Sequence, residues 1–179
     1  MSKEIKNSCK LCLKKEADQT GSHLISCFIV SSQIGERDNE KGFIITSDPE
    51  QDYSENLGSE GIKEDFIFCT ACEKRLAFIE SYFSQELTNK IDKENFAENF
   101  PIVELEDENI SQLFKCINVH PIAFHLLIYS VIWRASISKK PLFASFNLEE
   151  DVLEELRFTL DLYLPEYKEH KIVPKLKTW

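Results

Sequence analysis

The sequence predicts an α+β fold: a small metal-held module at the N-terminus, followed by a helical C-terminal part. Three observations carry this reading. Two Cys-x-x-Cys pairs, Cys9-Lys-Leu-Cys12 and Cys69-Thr-Ala-Cys72, lie far apart in the chain. The second pair opens a stretch with apolar residues at helical spacing. Two further helical patterns follow it, around residues 121–135 and 147–164. The boundary falls near residue 90, giving a module over 1–90 with a loop insertion at about 31–65, and a helical region over 91–179.

A two-residue spacer lets one tight turn present both thiolates to a single ion, and two such pairs complete a tetrahedral four-cysteine site. Cys9, Cys12, Cys69 and Cys72 are therefore predicted to hold one structural Zn²⁺. The N-terminus is polar and Lys-rich, without the apolar stretch of a secretory signal, which points to a cytoplasmic setting. In a reducing compartment paired cysteines are ligands or redox groups and not bridges. A thioredoxin-like role is the weaker alternative, since it uses one such motif and this chain has two. Cys27 and Cys116 sit among apolar residues and are expected to be plain core residues.

With 42% hydrophobic residues, 13 of them Phe, the chain can fill one sizeable and strongly aromatic core. The formal net charge of −10 opposes general nucleic-acid binding, which depends on Lys and Arg neutralising phosphates. Positive charge is only local: Lys10, Lys14 and Lys15 around the first Cys pair, Lys74 and Arg75 after the second, and Lys168, Lys171, Lys175 and Lys177 in the tail. Their plain reading is a solvated lysine surface.

In chain order, the first Cys pair reads as a knuckle, and His23 to Val30 as either a strand or a short buried helix. Residues 31–65 turn to Gly, Ser, Asn, Asp and Glu, an insertion expected to form a mobile hairpin. Phe66, Ile67 and Phe68 look like a short strand delivering Cys69, and Leu76, Ile79, Phe83 and Leu87 mark one face of the helix that begins there. Knuckle, extended segment and ligand-bearing helix describe a treble-clef zinc finger. An acidic connector with one short helix follows, around Pro101. Pro121 then starts a helix expected to be buried nearly all round, with Arg134 needing a counter-charge. Its apolar run is shorter than the roughly 20 residues of a membrane span and contains His125 and Arg134, so no membrane association is expected. His120 and His125 are read as capping or packing groups. Asn147 is expected to cap the last helix, and Pro165 to end it.

The order Cys pair, His, Cys pair, helix resembles the HNH endonuclease pattern. Ser22-His23-Leu24-Ile25, the Phe68-Cys69-Thr-Ala-Cys72-Glu73 run with Glu80 seven residues on, and Trp133-Arg134-Ala135-Ser136-Ile137-Ser138 look like a group of small bacterial HNH-like proteins. The resemblance spans most of the chain. It implies a ββα-metal module framed by the zinc, and phosphodiester hydrolysis with His23 as general base on a water. Two positions depart from the HNH pattern. Ser22 stands where an Asp or His metal ligand is usual, and Glu73 and Glu80 stand where Asn and then His are usual. Those carboxylates, two helical turns apart, suit Mg²⁺ or Mn²⁺. The resemblance thus implies a catalytic set of His23, Glu73 and Glu80, acting on nucleic acid with a protein partner, as one component of a bacterial defence or mobile-element system. The alternative is a non-catalytic zinc adaptor with a degenerate site that mediates protein–protein contacts.

Overall fold

The computed structural model describes residues 7–34, 42–43, 56–57, 62–88, 96–104 and 112–164. The fold is a mixture of helices and small two-stranded sheets, with the four paired cysteines clustered in its N-terminal region.

The chain opens with a tight turn around the first Cys pair. The Cys9 N–H donates to the Lys15 carbonyl at 2.7 Å, and the Leu13 N–H to the Cys9 carbonyl at 2.9 Å. Leu13 takes a left-handed φ of 57° to close this turn, a conformation disfavoured for a side chain with a Cβ, and its side chain stays in solvent. Strand β1 (Ser22–His23) pairs antiparallel with β4 (Lys63–Glu64), placing Ser22 opposite Glu64 and His23 opposite Lys63. Between them run helix α1 (Cys27–Ile34) and a second antiparallel pair, β2 (Gly42–Phe43) with β3 (Asn56–Leu57). The apolar run after His23 therefore resolves into both alternatives, a strand end and then a helix. The predicted insertion does contain a strand pair; the remainder of that stretch, and the mobility expected of it, lie outside the described residues, as does the basic tail.

Phe66–Phe68 is not a strand. Phe66 adopts a left-handed φ of 58° and is exposed, while Ile67 and Phe68 turn inward to the core. The chain reverses here because Lys10 and Gln19 N–H groups take the carbonyls of Ile67 and Phe68 at 2.9 and 3.1 Å. Backbone pairing is thus made with the knuckle and not with a sheet. Helix α2 (Thr70–Phe83) begins immediately afterwards and ends in a π-helical turn, Ser84–Thr88.

A short helix α3 (Phe96–Asn99) precedes a hairpin of β5 (Ile102–Glu104) and β6 (Gln112–Phe114), in register from Ile102 against Phe114 to Glu104 against Gln112. Helix α4 (Pro121–Ile137) starts with its proline at the first position, as predicted. It is not buried all round. Ala123, Leu126, Leu127, Ser130, Trp133 and Arg134 face the core, while Phe124, Ile128 and Tyr129 are substantially exposed, because only one side meets α2 and α5. His120 occupies the N-cap position without a side-chain cap, and the His125 ring stacks on Tyr129 at 6.1 Å. Helix α5 (Glu150–Tyr163) is preceded by Glu149 at its N-cap position; Asn147 instead donates to the Ala144 carbonyl at 3.3 Å. Cys27 and Cys116 are exposed, contrary to the core expectation, since α1 and the segment after β6 turn these positions outward. Among the described residues no helix is long and apolar enough to cross a membrane.

One core joins the two parts of the chain. Cys9, Leu11, Cys69 and Cys72 belong to the same buried cluster as Leu76, Ile79 and Phe83 of α2, Leu126 and Trp133 of α4, and Leu160 of α5. Phe68 stacks against Trp133 with ring centroids 5.8 Å apart, which fastens the start of α2 to α4.

Candidate metal centre and the polar cluster beside it

The two Cys pairs converge. The four sulfurs lie within 4.8 Å of one another, and Cys12 Sγ is 4.0 Å from Cys69 Sγ. Tetrahedral bonds of about 2.3 Å to zinc would set sulfurs about 3.8 Å apart, so this donor set fits the ion the spacing predicts. Cys9, Cys69 and Cys72 are buried and Cys12 is half-buried. A hydrogen bond from the Cys72 thiol, helped by backbone N–H groups of Cys12, Cys69 and Leu11, holds the Cys9 thiol down at about 4. The same Cys9 interaction, with burial, pushes Cys72 up, and burial raises Cys69. Four buried or half-buried thiols this close together form a cluster whose charge, once they ionise, a divalent ion would neutralise.

Using a cysteine at the start of α2 has a cost for the helix. Cys69 stands at the N-cap position but makes no side-chain cap. Asp18 supplies it from another segment: its carboxylate accepts the Thr70 N–H at 2.6 Å and the Thr70 hydroxyl at 3.0 Å. The Thr70 N–H accordingly holds the Asp18 carboxyl below its ordinary range.

Beside the cysteines, β1, α2 and α4 enclose a polar cluster. The Ser22 hydroxyl donates to Glu73 Oε2 at 2.9 Å. Arg134, 1% exposed, reaches Glu80 Oε1 at 2.7 Å through Nη2 and donates from Nη1 to the His23 carbonyl at 2.7 Å. Its Nε donates to the Ser130 carbonyl at 3.1 Å. Glu80 Oε1 receives no aligned N–H, so the contact is a charge pair more than a directed hydrogen bond. Burial pushes the Glu73 carboxyl up, opposed by the Ser22 hydroxyl and the Arg134 charge and reinforced by Glu80.

Of the sequence-predicted catalytic set, the structure brings Glu73 and Glu80 to one face of α2, each already engaged by another side chain. His23 is half-buried on β1 and joins the cluster through its backbone carbonyl. Among the described residues no hydrogen bond or ion pair links its imidazole to either glutamate, and the four cysteines are the one group of three or more His, Cys, Asp or Glu side chains placed to hold a metal ion. Arg134 is the central residue of the cluster. Its signal in the sequence was a guanidinium inside an apolar helix; what could not be read was that the counter-charge would be Glu80. No family model matches the chain, and no curated protein or solved structure matches it either.

Proposed function

We propose that this chain is a treble-clef zinc module of the HNH-like kind working as a non-catalytic adaptor, with Zn²⁺ on Cys9, Cys12, Cys69 and Cys72 organising a surface for protein contacts. The treble-clef reading rests on the order of parts: a Cys-bearing turn, the β1–β4 pair, and a helix whose first turn supplies the last two ligands. The observation that carries the adaptor reading is the state of the two glutamates. A nuclease of this plan needs Glu73 and Glu80 free to hold Mg²⁺ or Mn²⁺. Here Arg134 neutralises one and Ser22 occupies the other inside the protein. Exposed apolar side chains on the β5–β6 hairpin, Ile102, Val103, Leu113 and Phe114, are in keeping with contacts to a protein partner.

The second reading is metal-dependent phosphodiester hydrolysis, with His23 as general base and a partner supplying the nucleic-acid grip. It is favoured by one observation: Ser22, His23, Glu73 and Glu80, which the HNH resemblance singles out, gather around one buried arginine. Calorimetric titration of Mg²⁺ or Mn²⁺ into zinc-loaded protein separates the two. The adaptor binds no second divalent ion. Binding of one, abolished by Glu80→Gln together with Glu73→Gln, would overturn the adaptor reading in favour of hydrolysis.

A further inference from the structure

Arg157 lies on α5, 146 residues from Leu11 in the chain, yet its Nη1 donates to the Leu11 carbonyl at 2.7 Å. Leu11 is the residue just before the ligand Cys12. The peptide unit that offers this carbonyl to Arg157 carries, at its other end, the Cys12 N–H, inside the tight turn that joins the two ligands of the first pair. A cation on the carbonyl end polarises the unit and strengthens its N–H as a donor. Holding the Leu11 carbonyl also keeps the guanidinium beside the peptide that leads into Cys12. Four thiolates around one Zn²⁺ leave two negative charges in a largely buried site, and a nearby cation offsets part of them.

Arg157 is itself held in place. Its Nε donates to Glu154 Oε2 at 2.7 Å, one turn back on the same helix face. The end of α5 is clamped to the other half of the metal site by Arg75, three residues after Cys72. Arg75 donates to Asp161 Oδ1 at 3.0 Å and to the carbonyls of Asp161 and Leu164 at 2.6 and 2.8 Å. Helix α5 thus touches the first Cys pair through Arg157 and the helix of the second through Arg75.

We propose that Arg157 is a positioning residue of the zinc site: by holding the Leu11–Cys12 peptide and balancing thiolate charge, it makes zinc retention depend on the docking of α5, and the docking of α5 depend on zinc. This rests on the four-cysteine zinc assignment and is independent of whether the protein is an adaptor or a nuclease. Outer partners of metal ligands typically change affinity by about 10- to 100-fold when removed.

The test uses full-length zinc-loaded protein and follows zinc release to a chromophoric chelator at a temperature where circular dichroism shows every variant folded. Arg157→Gln is expected to release zinc about tenfold faster or more, with Arg157→Lys in between because it keeps the charge and loses the fork. Glu155→Gln, on α5 but away from these contacts, is expected to match the wild type. Hydrogen exchange should show α5 losing protection when wild-type protein is stripped of zinc. Equal release rates for wild type and Arg157→Gln overturn the inference, as does unchanged α5 protection on zinc removal, and both leave the metal assignment standing. Wild-type protein that carries no zinc overturns the inference and the metal assignment together. Should Arg157→Gln fail to fold, the exchange experiment on wild-type protein decides, and α5 protection that is unchanged on zinc removal rejects the role.

Discussion

Arg134 and Glu80 form a charge pair at 2.7 Å, joining the last turn of α2 to the last turn of α4, with 2% and 17% of their side chains exposed. The same guanidinium holds the carbonyl of His23, so one arginine fixes three elements at once. A buried pair of this kind is weak support for stability while intact and costly when broken, because the surviving charge has been removed from water.

Arg134→Met is therefore expected to destabilise the protein by about 3–5 kcal/mol, leaving Glu80 without its counter-charge. The double substitution Arg134→Met with Glu80→Leu should recover much of that loss. Chemical denaturation of the two single variants and the double variant gives the coupling directly. Strict additivity would show that the pair contributes no coupling.

Replacement of Glu73 should reveal a pH dependence. Burial raises its carboxyl above the ordinary value, so the fold favours the neutral form. The stability this contributes is present at low pH and is lost as pH rises through the folded-state value. Glu73→Gln cannot ionise and its amide oxygen can still accept the Ser22 hydroxyl. Its advantage in Tm over the wild type is expected to widen as pH rises above the ordinary carboxylate range, and to level off once the folded-state carboxyl has ionised. A difference that stays constant as pH rises would place the charge elsewhere.

Cys69→Ser removes a ligand and leaves the start of α2 otherwise intact. Elemental analysis should find about one zinc per wild-type chain and a marked loss in the variant, with a lower Tm, since the site belongs to the common core. Undiminished zinc in Cys69→Ser would remove this residue from the ligand set.

His23→Ala distinguishes the two functional readings by activity. Under the adaptor reading neither wild type nor variant cleaves nucleic acid at low salt with Mn²⁺ present, and partner binding is unchanged by the substitution. Cleavage by the wild type that falls about 10²- to 10⁴-fold in His23→Ala would assign His23 as the general base. Zinc content and Tm serve as the control for folding.

Local chemistry made much of this protein legible in one dimension. The spacing of Cys9, Cys12, Cys69 and Cys72 announces thiol pairs able to hold a metal ion because two-residue turns constrain where thiolates can point, and that constraint is written in the sequence itself. Leu76, Ile79 and Phe83 announce α2, and Pro121 announces the start of α4, for the same reason: period and cap are local properties. What the tertiary structure decided was every choice between partners distant in the chain. Phe66–Phe68 carries strand-forming residues, yet its carbonyls are taken by Lys10 and Gln19, which no local preference encodes. The face of α4 that bears Phe124, Ile128 and Tyr129 is as apolar as its buried face, and only the placement of α2 and α5 selects between them. Glu73 and Glu80 occupy one side of α2 by helical geometry alone. Whether they meet an ion or Ser22 and Arg134 depends on β1 and α4 arriving there, and the energetic preference of a buried carboxylate for a nearby cation or donor settles which contacts form.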